Sequence, residues 1–245
     1  MRFTQHPTEA LKAPTSRQHG FVLVTALIFL MVLSLLGVMA LRGSLFEERF
    51  AANDRDLTVA RENAELALRD AERDILGLRF DGQYCAAVAC TNSRPAGTRP
   101  VSLIDAGAFW SVVNVSAGDV AREDGGRGQA LGLQGLYTAS SATACGMPIW
   151  SGADWQDGVA RVCANTLGAP AVPTVAYGTF TDAPFAQQGV LRPRYLIEVI
   201  NTFDDLTNVT IHKFLFRITA VGFGRTTGSN GARTSVTLQS VFSAL

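Results

Sequence analysis

The sequence predicts an α+β protein: a long N-terminal α-helix, membrane-spanning in its first half and amphipathic in its second, packed on a C-terminal antiparallel β-sheet. Three observations predict it. Phe21 to Leu41 is a run of twenty-one residues without a charge. Apolar residues then recur at three- and four-residue steps, and the last third holds three segments rich in β-branched and aromatic residues. The charge distribution divides the chain in the same places. Charged residues make up 17% of the 245, against roughly 25% in soluble chains, which excludes a disordered acidic tail or a charged coiled coil. Sixteen of the forty-two charges lie between Arg42 and Arg79. The formal net charge is zero, which argues against a nucleic-acid partner.

Residues 1–20 are polar and mildly basic, with Arg2, Lys12 and Arg17 against Glu9. In Phe21 to Leu41, which follows, only Thr25 and Ser34 carry hydroxyls, and Gly37 is its one weak helix former. As a helix this run is about 32 Å long, enough to cross a hydrocarbon core of about 30 Å. It is too long for the 7–15-residue core of a secretory signal peptide, although Val38-Met39-Ala40 offers a small-x-small cleavage site. A plain single-pass anchor with its basic leader inside is a second reading.

A third reading uses the junction itself. Arg17-Gln18-His19-Gly20, followed by Phe21 and an apolar helix, resembles the type III leader of type IV pilins and pseudopilins. That resemblance implies cleavage between Gly20 and Phe21 by the prepilin peptidase and methylation of the new terminus. Beyond the helix come Glu47-Glu48-Arg49, Asn53-Asp54-Arg55-Asp56 and an Ala-rich stretch from Ala60 to Glu72. Together these resemble the PilX N-terminal family of minor pilins over about a quarter of the chain. Major pilins carry Glu at the fifth mature position, where this chain has Thr25. A bare ammonium in the membrane is costly, and a neighbour's carboxylate is its natural partner. By the family's assembly logic each subunit's Glu neutralises the amine of the subunit above, so Thr25 implies a subunit with nothing above it.

From Arg42 to about residue 80 the helix is expected to continue, ending near Leu78. Phe46, Phe50, Leu57, Ala60, Ala64, Leu68, Ala71, Ile75 and Leu78 form one apolar face, with charges assigned to the other. Arg61 with Glu65 and Glu65 with Arg69 are four apart, each pair contributing a few tenths of a kcal/mol. Gly37 reads as a point where the helix loosens during assembly, or as a close-approach position in a membrane helix.

Residues 81–245 are expected to form a periplasmic globular head. The cysteines are Cys85, Cys90, Cys145 and Cys163; three connectivities are open, and in an oxidising compartment the short loops favour Cys85–Cys90 and Cys145–Cys163. Zinc is disfavoured because these spacings lack the paired two-residue steps of zinc modules. Residues 81–190 are rich in Gly, Ala, Ser, Thr and Pro. Within them Phe109 to Val115 alternates as a strand would, and Asp154-Trp155-Gln156-Asp157-Gly158 reads as a turn. A calcium loop would need the Asp-x-Asp-x-Asp-Gly spacing, which is missing there. Trp110, Trp150 and Trp155 read as core rather than as a contact surface. Tyr195 to Ile200, His212 to Phe223 and Thr234 to Phe242 read as an antiparallel meander broken at Gly224 to Gly231. Arg194 to Glu198, Phe216 to Gly222 and Val236 to Ser240 also resemble the PilX group.

The chemistry of an enzyme is missing. His6 and His19 precede the cleavage point, leaving His212 as the one mature histidine, so no multi-histidine metal site can be built from one chain, and His212 reads as a residue beside a strand. Gly125-Gly126-Arg127-Gly128 lacks the following helix of a phosphate cradle, and Asp204 with Asp205 are two adjacent acids in a turn-like stretch. Neither cofactor nor metal is expected. The resemblance implies a minor pilin that primes type IV pilus assembly at or near the tip. Its implied partners are other minor pilins, the major pilin, a large tip adhesin, the inner-membrane assembly platform and the prepilin peptidase. The implied location is the inner membrane, with the head in the periplasm, and then the pilus. A minor pseudopilin of a type II secretion system, or an anchored periplasmic binding domain that does not polymerise, are the alternative readings.

Overall fold

The computed structural model describes residues 21–88, 90, 94, 99–115, 134–138, 146–159, 172–202, 213–229 and 231–243. Two compact units divide the chain, Met1–Ala52 and Asn53–Leu245. Helix α1 spans Phe21–Leu76. In the first unit its apolar side chains are exposed, Phe21 at 73% and Met31 at 70%. This is the surface expected of a segment whose partners are lipid or other helices.

The helix ends at Leu76 rather than Leu78, for a local reason. Gly77 adopts φ +73°, the left-handed conformation that terminates helices. Leu78 N–H donates to Arg73 O at 2.9 Å and Gly77 N–H to Asp74 O at 3.2 Å, the paired bonds of a Schellman motif. A side chain at Gly77 would also collide with the backbone of Pro100 to Ser102.

In the second unit, α2 (Leu103–Val115) follows, then β1 (Leu136–Thr138), the single turn α3 (Ile149–Gly152) and β2 (Val175–Ala176). The long strands β3 (Arg194–Thr202), β4 (Lys213–Thr227) and β5 (Arg233–Ser243) close the chain. β3, β4 and β5 form the expected antiparallel meander. The sheet as a whole is mixed, because β1 pairs parallel to β3 on its other side and β2 pairs antiparallel beside it. The meander's break is shorter than expected: β4 continues through Gly224 to Thr227, with a register irregularity between Phe223 and Thr227.

Phe109 to Val115 lies in α2, correcting its reading as a strand. The reason is packing. Ala106, Phe109 and Trp110 are buried, a three-and-four spacing that places them on one helical face. Trp110 stacks edge-on against Phe216 at 4.8 Å, and its indole N–H donates to Ile75 O at 3.0 Å. The short alternation was indistinguishable from the period of a buried helix.

Strand alternation divides the core into two layers. Tyr195, Ile197 and Val199 of β3, with Phe214, Phe216, Ile218 and Ala220 of β4, meet Ala67, Ala71 and Ile75 of α1 and the buried face of α2. On the opposite face Leu196, Val221 and Phe223 meet Tyr137, Ile149, Ala153, Trp155 and Val172, with Trp150 packed partly against them. Trp110 and Trp155 are thus core residues, and Trp150 lies partly buried at the edge of the second layer.

The approach of α1 to the sheet is set by small residues on both sides. Ala60, Ala64, Ala67 and Ala71 are fully buried, and a Cβ at Gly222 would overlap Ala60 O and Ala64 N. Replacing Gly222 with Ala is therefore expected to destabilise the fold by about 1–3 kcal/mol, the usual cost of overpacking. Gly107, in α2 with open space around it, is the control: Gly107→Ala should be neutral or stabilise by up to about 1 kcal/mol through helix propensity. Chemical denaturation of the two variants checks the contrast.

Candidate functional site: the assembly helix and its polar seam

Phe21 opens α1, and Thr25 lies one turn on. The Thr25 hydroxyl donates to the backbone carbonyls of Phe21 and Val22, each at 3.0 Å. Such back-bonding lets a hydroxyl sit in an apolar helix without another partner. Thr25 thereby presents no charge to a neighbour, and the next ionisable side chain along the helix is Arg42. One helix among the described residues is long and apolar enough to cross a membrane, and it is α1, with mean hydropathy 2.9 in its apolar window. Gly20, the other half of the expected cleavage point, lies outside the described residues.

The second half of α1 departs from the expected amphipathic pattern. Asp56, Asn63, Asp70 and Asp74 are all buried, on the face that carries the alanines. Leu57, expected inside, is 40% exposed, and Phe46 and Phe50 are exposed as well. Of the two expected i,i+4 ion pairs, Arg61–Glu65 forms on the surface at 3.2 Å. Glu65 and Arg69 are not among the ion pairs of the described residues.

Each buried polar residue holds a different part of the head. Asp56 accepts the backbone N–H groups of Arg225 at 2.6 Å and Thr226 at 3.3 Å, at the end of β4. Burial pushes its carboxyl up, but hydrogen bonds from Thr234, Arg225 and Thr226 outweigh this and hold it below the ordinary value. Gly224 leaves room for that carboxylate, since a Cβ there would lie 2.6 Å from it. Asn63 Nδ2 donates to Phe223 O at 3.0 Å and to Gln187 Oε1 at 3.2 Å.

Two turns of helix further on are the strongest charges. Asp70 accepts the Gly178 N–H at 2.7 Å and the Thr181 hydroxyl. Desolvation raises its pKa to about 6, opposed by those two hydrogen bonds and assisted by nearby Asp74. Asp74 accepts the Tyr195 hydroxyl at 3.0 Å. It also pairs with Arg94 at 3.1 Å and Arg99 at 3.3 Å, all three side chains being almost fully buried.

The two arginines extend the hold into neighbouring loops. Arg94 also donates to Phe180 O from Nε and Nη2 and to Pro100 O from Nη1. Arg99 donates to Gln134 O at 2.7 Å and lies over the Phe180 ring at 4.2 Å. Its Nε and Nη1 form no hydrogen bond, so Asp74, the Gln134 carbonyl and the aromatic face are what compensate the buried guanidinium. Burial lowers its pKa. Sequence reasoning missed this seam because charges were assigned outward. The signal was present in the spacing: Asp56, Asn63 and Asp70 are seven apart, in phase with Ala60, Ala64, Ala67 and Ala71.

Cys85 and Cys90 form a disulfide, closing the loop that leads from α1 toward Arg94. Cys145 and Cys163 lie outside the described residues, as do His212, Asp204, Asp205 and Gly125 to Gly128. Asp154 and Asp157 form turns on their own backbone, accepting from Gln156 N at 2.9 Å and Val159 N at 3.0 Å. No cluster of potential metal ligands occurs among the described residues.

A long N-terminal helix, free of charge from Phe21 to Leu41 and locked on a sheet by its second half, is the architecture of a pilin-like subunit. The PilX N-terminal family matches residues 19–69, and the C-terminal family of the type IV pilus assembly protein PilX matches residues 93–244. The chain belongs to the PilX family of type IV pilus assembly proteins, and is a minor pilin by that membership. The family is structural rather than catalytic. No curated protein and no solved structure matches the chain.

The Asp70 environment predicts a pH dependence. The folded state binds this proton more tightly than the unfolded one, whose aspartate titrates near 3.8. Stability from this group therefore rises as pH falls through about 6 and levels off below the unfolded value. Asp70→Asn should flatten that part of the profile, measured as the denaturation midpoint between pH 7 and pH 4, and leave acid unfolding at lower pH in place.

Proposed function

We propose that this protein primes type IV pilus assembly and sits at or near the pilus tip with other minor pilins. Its precursor is cut between Gly20 and Phe21, and its head lies in the periplasm until the subunit leaves the inner membrane. The observation that carries the tip position is Thr25, whose hydroxyl is closed on its own helix, so the residue has no carboxylate to offer a subunit above. The terminal amine of Phe21 can still be met by a carboxylate from below. The C-terminal family match over residues 93–244 supports the pilus in preference to a type II secretion system. Other minor pilins, the major pilin, a tip adhesin, the assembly platform and the prepilin peptidase are the partners this role requires.

Cleavage is tested by N-terminal sequencing of the mature chain, which should begin at Phe21. Gly20→Leu should leave the precursor uncut. A mature chain beginning at Leu41 would instead identify a removed signal peptide.

The tip position is tested at Thr25. A carboxylate there would gain no partner and would carry a membrane penalty of a few kcal/mol, relieved in part by protonation. Thr25→Glu should accordingly leave pilus numbers unchanged or slightly lower, whereas loss of the whole protein should reduce them sharply. Immunogold labelling of the head should mark filament ends, and even labelling along the shaft would overturn the tip position.

A further inference from the structure

One carboxylate ties the first two turns of α1 in the second unit to the head. From Asn53 to Val59, Asp56 is the one buried residue; Val59 is half-buried and the other five are exposed. Among the described residues, Asp56 makes the only hydrogen bonds from this stretch to the rest of the head. Close packing begins one turn later, where Ala60 is fully buried and lies against Gly222.

The other half of the contact is built into β4. The ladder pairs Phe223 with Ser235 and Thr227 with Arg233, so Gly224, Arg225 and Thr226 stand opposite Thr234 alone. Extra residues in one strand lose their ladder partners and bend it. The N–H groups of Arg225 and Thr226 turn instead to the Asp56 carboxylate, at 2.6 Å and 3.3 Å, and the Thr226 and Thr234 side chains add hydrogen bonds of their own. Successive N–H groups aimed at one point make an anion-binding concavity. Gly224 forms its floor, since a Cβ there would lie 2.6 Å from the carboxylate. Arg225 and Thr226 are exposed, so the concavity lies at the surface of the head.

We propose that the irregular stretch of β4 is a carboxylate receptor with Asp56 as its ligand in cis, and that the two form a latch that opens without unfolding the sheet. Opening breaks hydrogen bonds at one end of β4 and uncovers little apolar surface, because Leu57 is already exposed and Val59 half-exposed. Local openings of this kind cost less than global unfolding. In the open state about 10 Å of α1, from Asn53 to Val59, passes from the head to the free part of the helix at 1.5 Å per residue. On the reading of this chain as a filament subunit, the latch sets how much of α1 is committed to its own head and how much to neighbouring subunits.

Hydrogen exchange on the purified full chain tests both halves. β4 is paired on both sides at Ile218 and Ala220, so those amides report opening of the sheet, while the amides of Arg225 and Thr226 report the latch. In the wild-type chain the latch amides should be protected about tenfold less than the sheet amides, or weaker still. Asp56→Ala removes the ligand and Gly224→Ala displaces it. Each should lower protection of the latch amides by about a further tenfold and leave Ile218 and Ala220 within about twofold of wild type. Formate, compared with chloride at equal ionic strength, should restore protection of the latch amides in Asp56→Ala but not in Gly224→Ala, whose methyl group fills the receptor. Equal protection of all four amides in the wild-type chain, or equal loss in the variants, would overturn the latch by showing that the contact breaks only with the sheet. Latch amides in Asp56→Ala that formate leaves unprotected would overturn the receptor. All of these outcomes are read on purified protein, so they are separate from failure of the pilin reading, which unchanged pilus numbers after deletion of the protein would show.

Discussion

The backbone-to-backbone approach of α1 to β4 is the constraint on which the rest of the head depends. Helices usually rest on sheets through large side chains, which keep the two about 10 Å apart. Here the contact at Gly222 has no side chain, and the helix presents alanines. The closeness has a structural cost: little apolar area is buried per turn by alanine, so packing alone is a weak source of position along the helix. Polar contacts with fixed partners provide the position that packing leaves loose.

The seam of Asp56, Asn63, Asp70 and Asp74 acts as that positioning system. A hydrogen bond has a direction and a short range, so four of them at separate heights fix both the rotation of the helix and its translation along the sheet. A helix rotated by one residue would turn each carboxylate about 100° away from its donor. Buried ion pairs are often close to neutral for stability, since desolvation offsets attraction. The Asp74 cluster with Arg94, Arg99 and Tyr195 is best understood as specifying one arrangement rather than as adding stability. The arginines carry the arrangement outward to the Phe180, Pro100 and Gln134 carbonyls, so loops of irregular sequence inherit their places from the helix.

Much of the architecture was legible in the sequence because it depends on periodicity. The charge-free run, the helix that follows it and the three C-terminal strands each have a repeat that physics ties to one conformation. The turn at Asp154 to Gly158 was legible too, through its asparagine-like side-chain bonding and its glycine. What escaped was decided by tertiary context. A seven-residue window could not distinguish α2 from a strand, because both place apolar residues inward there. The three-residue β1 and two-residue β2 have no pattern of their own and exist because β3 offers them an edge. Buried acids were assigned to solvent because burial depends on partners outside the helix, at Gly178, Thr181 and Tyr195 more than 100 residues away and, for Asp74, also at Arg94 and Arg99.

The layer on the far side of the sheet touches α1 nowhere in its own cluster. Ile149, Ala153, Trp155 and Val172 rest on Leu196, Val221 and Phe223, and Gly158 packs closely on Gly231 at the β4–β5 turn. Substitutions and insertions there are separated from the buried face of α1 by the thickness of the sheet. Such a subunit can diversify the surface it shows to its surroundings while its joinery stays fixed, and the two halves of its sequence are free to change at different evolutionary rates.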